Sequence, residues 1–170
     1  MALIRHGRLV DDHFTDVVGA ALIPAKGAVI VGLLQWLDNV HQLSIRRDPL
    51  GIRLRSDQHP EVIADDLDCF AVIELEFPAL RDGRPYHYAR LLREQWGFHG
   101  ELRATGVVLL EQMPFMRRAG FDSFHVVSAD PLGAWRTAER EFATWYQPTD
   151  DRRVPAHQLR LRANGSRRSA

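Results

Sequence analysis

The chain has 170 residues, 45% hydrophobic and 26% charged, and its 22 basic and 22 acidic residues leave no formal net charge. This is the profile of one soluble globular domain; no apolar run suits a membrane helix and no signal-peptide pattern opens the chain, so the expected compartment is the cytoplasm. The charge balance argues against a dedicated nucleic-acid binder, and the single cysteine, Cys69, excludes an internal disulfide, a dithiol pair and a cysteine-ligated iron–sulfur cluster within one chain.

Residues 1–28 read as irregular, with a short strand over 3–10. From there strand and helix alternate. Residues 28–33 are apolar and β-branched, and the next segment repeats Leu33, Trp36, Leu37 and Val40 at helical spacing. A short strand over 51–55 precedes a helix over 59–67, with Pro60 suited to its first turn. Residues 71–77 form the strongest strand pattern. A helix over 85–96 follows, marked by Tyr88, Leu92 and Trp96 and stopped by Gly97. A strand over 101–105, a helix over 107–119 interrupted by Pro114, and a strand over 121–127 come next. Asp130 and Pro131 then open a helix whose stripe is Leu132, Trp135, Ala138, Phe142 and Trp145.

These roughly five βα units predict an α/β fold with a mainly parallel sheet, open or bent into a half-barrel. The expected organisation is one domain over 1–146. An Arg-rich flexible tail follows over 147–170, carrying Arg152, Arg153, Arg160, Arg162, Arg167 and Arg168.

In such sheets ligands bind beyond the carboxyl ends of the strands. The loop over 77–85 puts Arg81, Asp82, Gly83 and Arg84 ahead of a helix N-terminus, a setting for an anion. The same residues also suit plain architecture, with Asp82 capping the helix, Gly83 at positive φ and the arginines in local ion pairs. Arg103 and Gly106 lie on the next strand and its end, and Glu101 shares a face with Arg103, so a structural Glu–Arg pair is the simpler reading of Glu101. Glu74 and Glu76 alternate with Ile73, Leu75 and Phe77, although a strand covered on both sides should be apolar throughout. That face therefore meets solvent, pairs with buried arginine, or lines a pocket where His87 is the best-placed acid–base group. The eight histidines form no zinc-ligand spacing, and no dinucleotide, Walker or nucleophile-elbow motif is present, so neither a metal nor a cofactor is expected. Only Lys26 among the basic residues is a lysine, and arginine's planar fork suits carboxylates and oxyanions.

Residues Phe77, Pro78, Arg81 to Arg84, Tyr86 and Ala89 to Arg93 carry a resemblance. It continues through Gly97, Gly100 to Ala104 and Gly106, then Met116 to Arg118, Gly120 to Asp122 and Phe124. Together they resemble the bacterial domain-of-unknown-function family 934. Val107, His87 and Ala119 depart from its usual acidic, small hydroxyl and cysteine residues. The resemblance implies a setting in sulfur assimilation, since members are typically encoded beside assimilatory sulfite reductase and are often labelled oxidoreductases. A chain without its own electron carrier fits an accessory protein of sulfite reduction. It would dock on the reductase or an acidic electron carrier through Arg81, Arg84, Arg90, Arg93 and Arg103. The alternatives are a small α/β enzyme holding an oxyanion at Glu76, Arg81, Asp82, Arg84 and Arg103, or an internal salt-bridge network at those arginines that only shapes the loops. An enzyme needs these side chains to converge in a pocket; a docking module needs them spread over a surface with apolar neighbours.

Overall fold

Apolar residues at alternate strand positions build one curled sheet with a single greasy face. The computed structural model describes residues 1–141. Its strands are β1 (Ala2–Arg5), β2 (Arg8–Val10), β3 (Thr15–Asp16), β4 (Val29–Gly32), β5 (Leu50–Leu54), β6 (Val72–Phe77), β7 (Glu101–Gly106) and β8 (Ser123–Val126). They pair in the order β2-β1-β8-β7-β6-β5-β4-β3, a mostly parallel half-barrel. Strands β3 to β8 run parallel to one another, and β1 joins β8 and β2 antiparallel.

Between the strands lie α1 (Leu33–Leu43), a 3₁₀ segment (Pro60–Cys69), α2 (Arg84–Arg90) and α3 (Met113–Arg118), and α4 (Pro131–Glu141) follows β8. Because β4 to β8 are neighbours in chain order, crossovers of one hand place their helices on one side. Val31, Ile52, Ile73 and Leu102 stand in register on that side, as do Leu54, Leu75, Ala104 and Phe124. They form the core with Trp36, Ile63, Leu92 and Met116 from the helices. The opposite face carries the row Gly32, Arg53, Glu74, Arg103 and Ser123. None of the described helices is long and apolar enough to cross a membrane.

The five expected βα strands are β4 to β8. The first 28 residues are more ordered than their sequence implies. His6 (φ 50°) and Gly7 (φ 76°) turn the expected single strand into the β1–β2 hairpin, and β3 extends the far edge. The segment over 60–69 winds as 3₁₀ rather than α-helix. Past α2 the helix widens into a π turn over Leu91–Gln95, with the Trp96 N–H donating to the Leu91 carbonyl five residues back. Phe142, Trp145 and the proposed tail lie outside the described residues.

The curl needs one very small residue. Gly51 sits between Ile30 and Val72 in the row on the uncovered face. A Cβ there would lie 2.4 Å from Val72 Cγ1 and 2.9 Å from Ile30 Cγ1. Gly51→Ala should therefore force these branched side chains apart and cost about 1–3 kcal/mol, as overpacking does. Urea unfolding would show this as a lowered midpoint at unchanged slope; an unchanged midpoint would mean the curl does not depend on this contact.

Candidate functional site

Desolvating a charge is costly unless opposite charges and hydrogen bonds surround it, and the uncovered face of the sheet meets that demand with a ladder of ions. Glu74 in the middle of β6 has no solvent-exposed surface. Its Oε2 accepts from Arg53 Nε at 2.6 Å and its Oε1 from Arg103 Nη1 at 3.2 Å. Arg103, only 2% exposed, also donates to Glu101 Oε1 at 3.0 Å and to Asp12 Oδ2 at 2.9 Å. Arg53 extends the ladder to Asp16 at 2.7 Å, and Glu101 reaches Ser123 and Arg5. The register of β5, β6 and β7 makes the ladder possible, since Arg53, Glu74 and Arg103 are direct neighbours across parallel strands.

Residues 11–14 fold over this face as a strap. Asp12 Oδ2 lies 3.1 Å from His125 Nε2, Asp12 Oδ1 accepts the Phe14 N–H at 3.1 Å, and the Phe14 ring lies 5.7 Å from the Arg103 guanidinium carbon. Burial alone would raise the Asp12 carboxyl, but the Phe14 N–H, Arg103 and His125 outweigh it and hold it below its ordinary value. Glu101 is likewise held low despite burial, by the Ser123 hydroxyl and by Arg103 and Arg5.

Beside the ladder the strap borders a half-open cavity of about 800 Å³, lined among others by Glu74, Glu76, Thr105, Gly106, His125 and Arg53. Gly106 ends β7 at φ 84°, in the left-handed region, and a Cβ there would meet the Phe77 carbonyl oxygen at 2.5 Å. Of the pocket residues expected from sequence, Glu74, Glu76 and Gly106 border this space, while His87 is exposed on α2.

The motif arginines do not gather with them. Arg84 makes a two-pronged contact with Asp82, with Nε to Oδ1 at 3.0 Å and Nη2 to Oδ2 at 2.6 Å, and its Nη2 also donates to Ser56 Oγ. The Arg84 contact holds the Asp82 carboxyl far below the usual carboxylate range. Asp82 accepts the Arg84 N–H as a turn cap, but Gly83 has φ −85° and not the positive value expected. Arg93 is consumed by the loops that start β7 and β8: it donates to the carbonyls of Phe98, Gly100 and Gly120 and to Asp122. Arg81 and Arg90 are exposed and hold no ion pair or hydrogen bond among the described residues. The loop holding Arg81 follows the carboxyl end of β6, whereas Arg93 binds segments at the amino ends of β7 and β8, so these arginines do not share one face.

Asp12, Asp16, Arg53, Ser123 and His125 went unassigned in the sequence. Arg53 had a signal, since it alternates with Ile52 and Leu54 as Glu74 does with Ile73 and Leu75. Asp12 had none, because its partners Arg103 and His125 lie 91 and 113 residues away.

Two measurements follow. Arg103→Met leaves Glu74 and Glu101 short of a partner in the interior and should cost about 3–5 kcal/mol. Glu74→Leu/Arg103→Met should lose clearly less than the two single variants added together; strict additivity would show the pair is not coupled. The second concerns acid. Asp12 and Glu101 have folded values below their ordinary 3.8 and 4.5, so the stability they contribute is full above those values and drains as pH falls through the lower folded ones. Asp12→Asn should therefore flatten the acid limb of the stability profile below about pH 4, and a limb parallel to the parent's would contradict the assignment.

Among curated proteins and among solved structures, none matches the chain. A family model described as a bacterial protein of unknown function, DUF934, matches residues 51–157. That span holds Arg53, Glu74, Arg103 and His125 of the ladder, and Asp12 lies before it. It covers more than half of the sequence, and the chain belongs to this family.

Proposed function

We propose that the protein is an accessory component of assimilatory sulfite reduction that docks on the reductase, or on an acidic electron-donor protein, through the carboxyl end of its sheet. The observation that carries this reading is the surface around Arg81. Leu80 (49% exposed), Val107 (40%) and Leu109 (40%) are exposed on the two neighbouring loops, one of which carries Arg81, an arginine with no partner among the described residues. The two loops are tied together, with Val107 N–H donating to the Phe77 carbonyl at 2.8 Å and Gln112 Nε2 reaching the Leu80 carbonyl at 3.5 Å. An apolar surface bearing an unpaired cation suits a protein partner with an acidic rim, where the apolar area supplies affinity and the charge supplies orientation.

The resemblance to a family whose members are typically encoded beside sulfite reductase supplies the setting. An oxyanion-binding enzyme would need Arg81, Arg84 and Arg103 about one pocket. Arg84 is instead occupied by Asp82 and Ser56, and Arg103 by Asp12, Glu74 and Glu101. A single cysteine whose thiol is raised by burial and by Asp66 and Asp68 gives little support to thiol redox chemistry in this chain.

The test is a pull-down of the tagged chain from its native bacterium grown on sulfate as sole sulfur source. Sulfite reductase or its electron donor should be recovered, and Arg81→Glu should cut the yield about tenfold at unchanged thermal stability, as a charge reversal at an oriented interface does. Cells carrying Arg81→Glu should grow slowly on sulfate and normally on cysteine. Equal recovery with the variant, or recovery of the tagged chain alone, would overturn the docking reading.

A further inference from the structure

We infer that the cavity between the strap and the uncovered face of the sheet is a binding site for a small organic ammonium ion with an apolar body. This is independent of the docking surface and opposite in sign to an oxyanion site. Nearly every charged group around the cavity is already spoken for: Arg53 and Arg103 by carboxylates, and Asp12, Asp16 and Glu74 by those arginines. Two groups are not. Glu76, half-buried at the cavity wall, makes no ion pair or hydrogen bond among the described residues. Thr105 is only 6% exposed, and its hydroxyl borders the cavity with no hydrogen-bond partner among the described residues. The residue is otherwise packed, so the cavity is the side from which its hydroxyl can be met, and a ligand donor would take the place of water there.

Glu76 and Thr105 are register neighbours on β6 and β7, which sets their side chains about 5 Å apart on the same face. A compact ammonium with three donors can reach both a carboxylate oxygen and a hydroxyl oxygen at that spacing. The field has the same sign. Asp11, Asp12, Asp16, Glu74 and Glu76 line the cavity against Arg53 and the Met1 amino group, and with Arg103 paired to Asp12 and Glu74 the acidic groups still outnumber the cationic ones. Among the described residues no three His, Cys, Asp or Glu side chains are grouped to hold a metal ion, which favours an organic cation. Leu3, Leu9, Val10, Phe14 and Ile30 supply apolar walls for the body of such an ion, with the charge held at the Glu76 end.

The experiment uses the full chain, labelled for amide NMR, titrated in 0.15 M salt with propylammonium, cyclohexylammonium and phenethylammonium chlorides. The neutral 2-phenylethanol and the anion phenylacetate serve as matched controls. At least one amine should give saturable shifts at Glu76, Thr105 and Phe14. For phenethylammonium the affinity should exceed that of 2-phenylethanol about tenfold, the scale of one charge-assisted contact, and phenylacetate should not bind. Glu76→Gln should weaken the amine about tenfold while the exposed Glu111→Gln leaves it unchanged. The proposal falls if no amine saturates below about 50 mM, a ceiling that corresponds to very weak binding. It also falls if phenylacetate binds as well as the amine, or if Glu76→Gln changes nothing.

Discussion

A carboxylate without solvent contact, Glu74, is held between two guanidinium groups in the middle of a sheet, and the rest of the molecule is arranged so that this is tolerable. Its partners must come from the adjacent strands, so the register of β5, β6 and β7 is fixed wherever the pair is fixed. A one-residue slip would turn Glu74 into the apolar layer and Ile73 out of it. The partners carry their own surplus valence. Arg103 therefore recruits Glu101 and Asp12, and Asp12 pulls the 11–14 strap across the face. A buried ion network of this kind adds little net stability over a packed apolar layer; its effect is to make wrong arrangements expensive.

The same network explains why the sheet is covered on one side only. A helix packed on the ladder would seal several ions away from water, whereas a short strap satisfies them and leaves a cavity. The half-barrel thus presents two chemically distinct places. One is the acidic hollow over β6 and β7. The other is the loop surface at the strand ends, which carries Arg81 and the exposed Leu80, Val107 and Leu109. The Arg93 cluster at the other end belongs to neither, since its hydrogen bonds close the loops that start β7 and β8.

Much of this was legible in the chain. The rhythm of β-branched runs and amphipathic segments marked β4 to β8 and their parallel direction, because right-handed βα crossovers leave little freedom of direction, but it did not carry their order across the sheet. The break in that rhythm at Glu74 and Glu76 marked the unusual face, since two carboxylates inside a strand demand either water or arginine. The sequence could not say which arginines answer them. Arg84 is satisfied by Asp82 two residues away, while Glu74 is met by Arg53 and Arg103 from neighbouring strands. The strap was invisible for the same reason: nothing near Asp12 in the chain reveals that its partner lies on β7. The β1–β2 hairpin was missed because a two-residue turn at His6–Gly7 interrupts a run that reads as one strand.

The account rests on one division among the arginines, between those locked into the sheet and those free to meet a partner. Hydrogen exchange at the arginine Nε–H groups, followed by NMR on the intact chain near neutral pH, measures that division directly. Arg53 and Arg103, whose Nε–H groups donate to Glu74 and Glu101, should exchange at least about a hundredfold more slowly than a free guanidinium, since exchange requires opening of the structure. Arg81 should exchange at the free rate. Arg103 exchanging as fast as Arg81 would mean that the ladder does not hold in solution, and the fold's central constraint would have to be sought elsewhere.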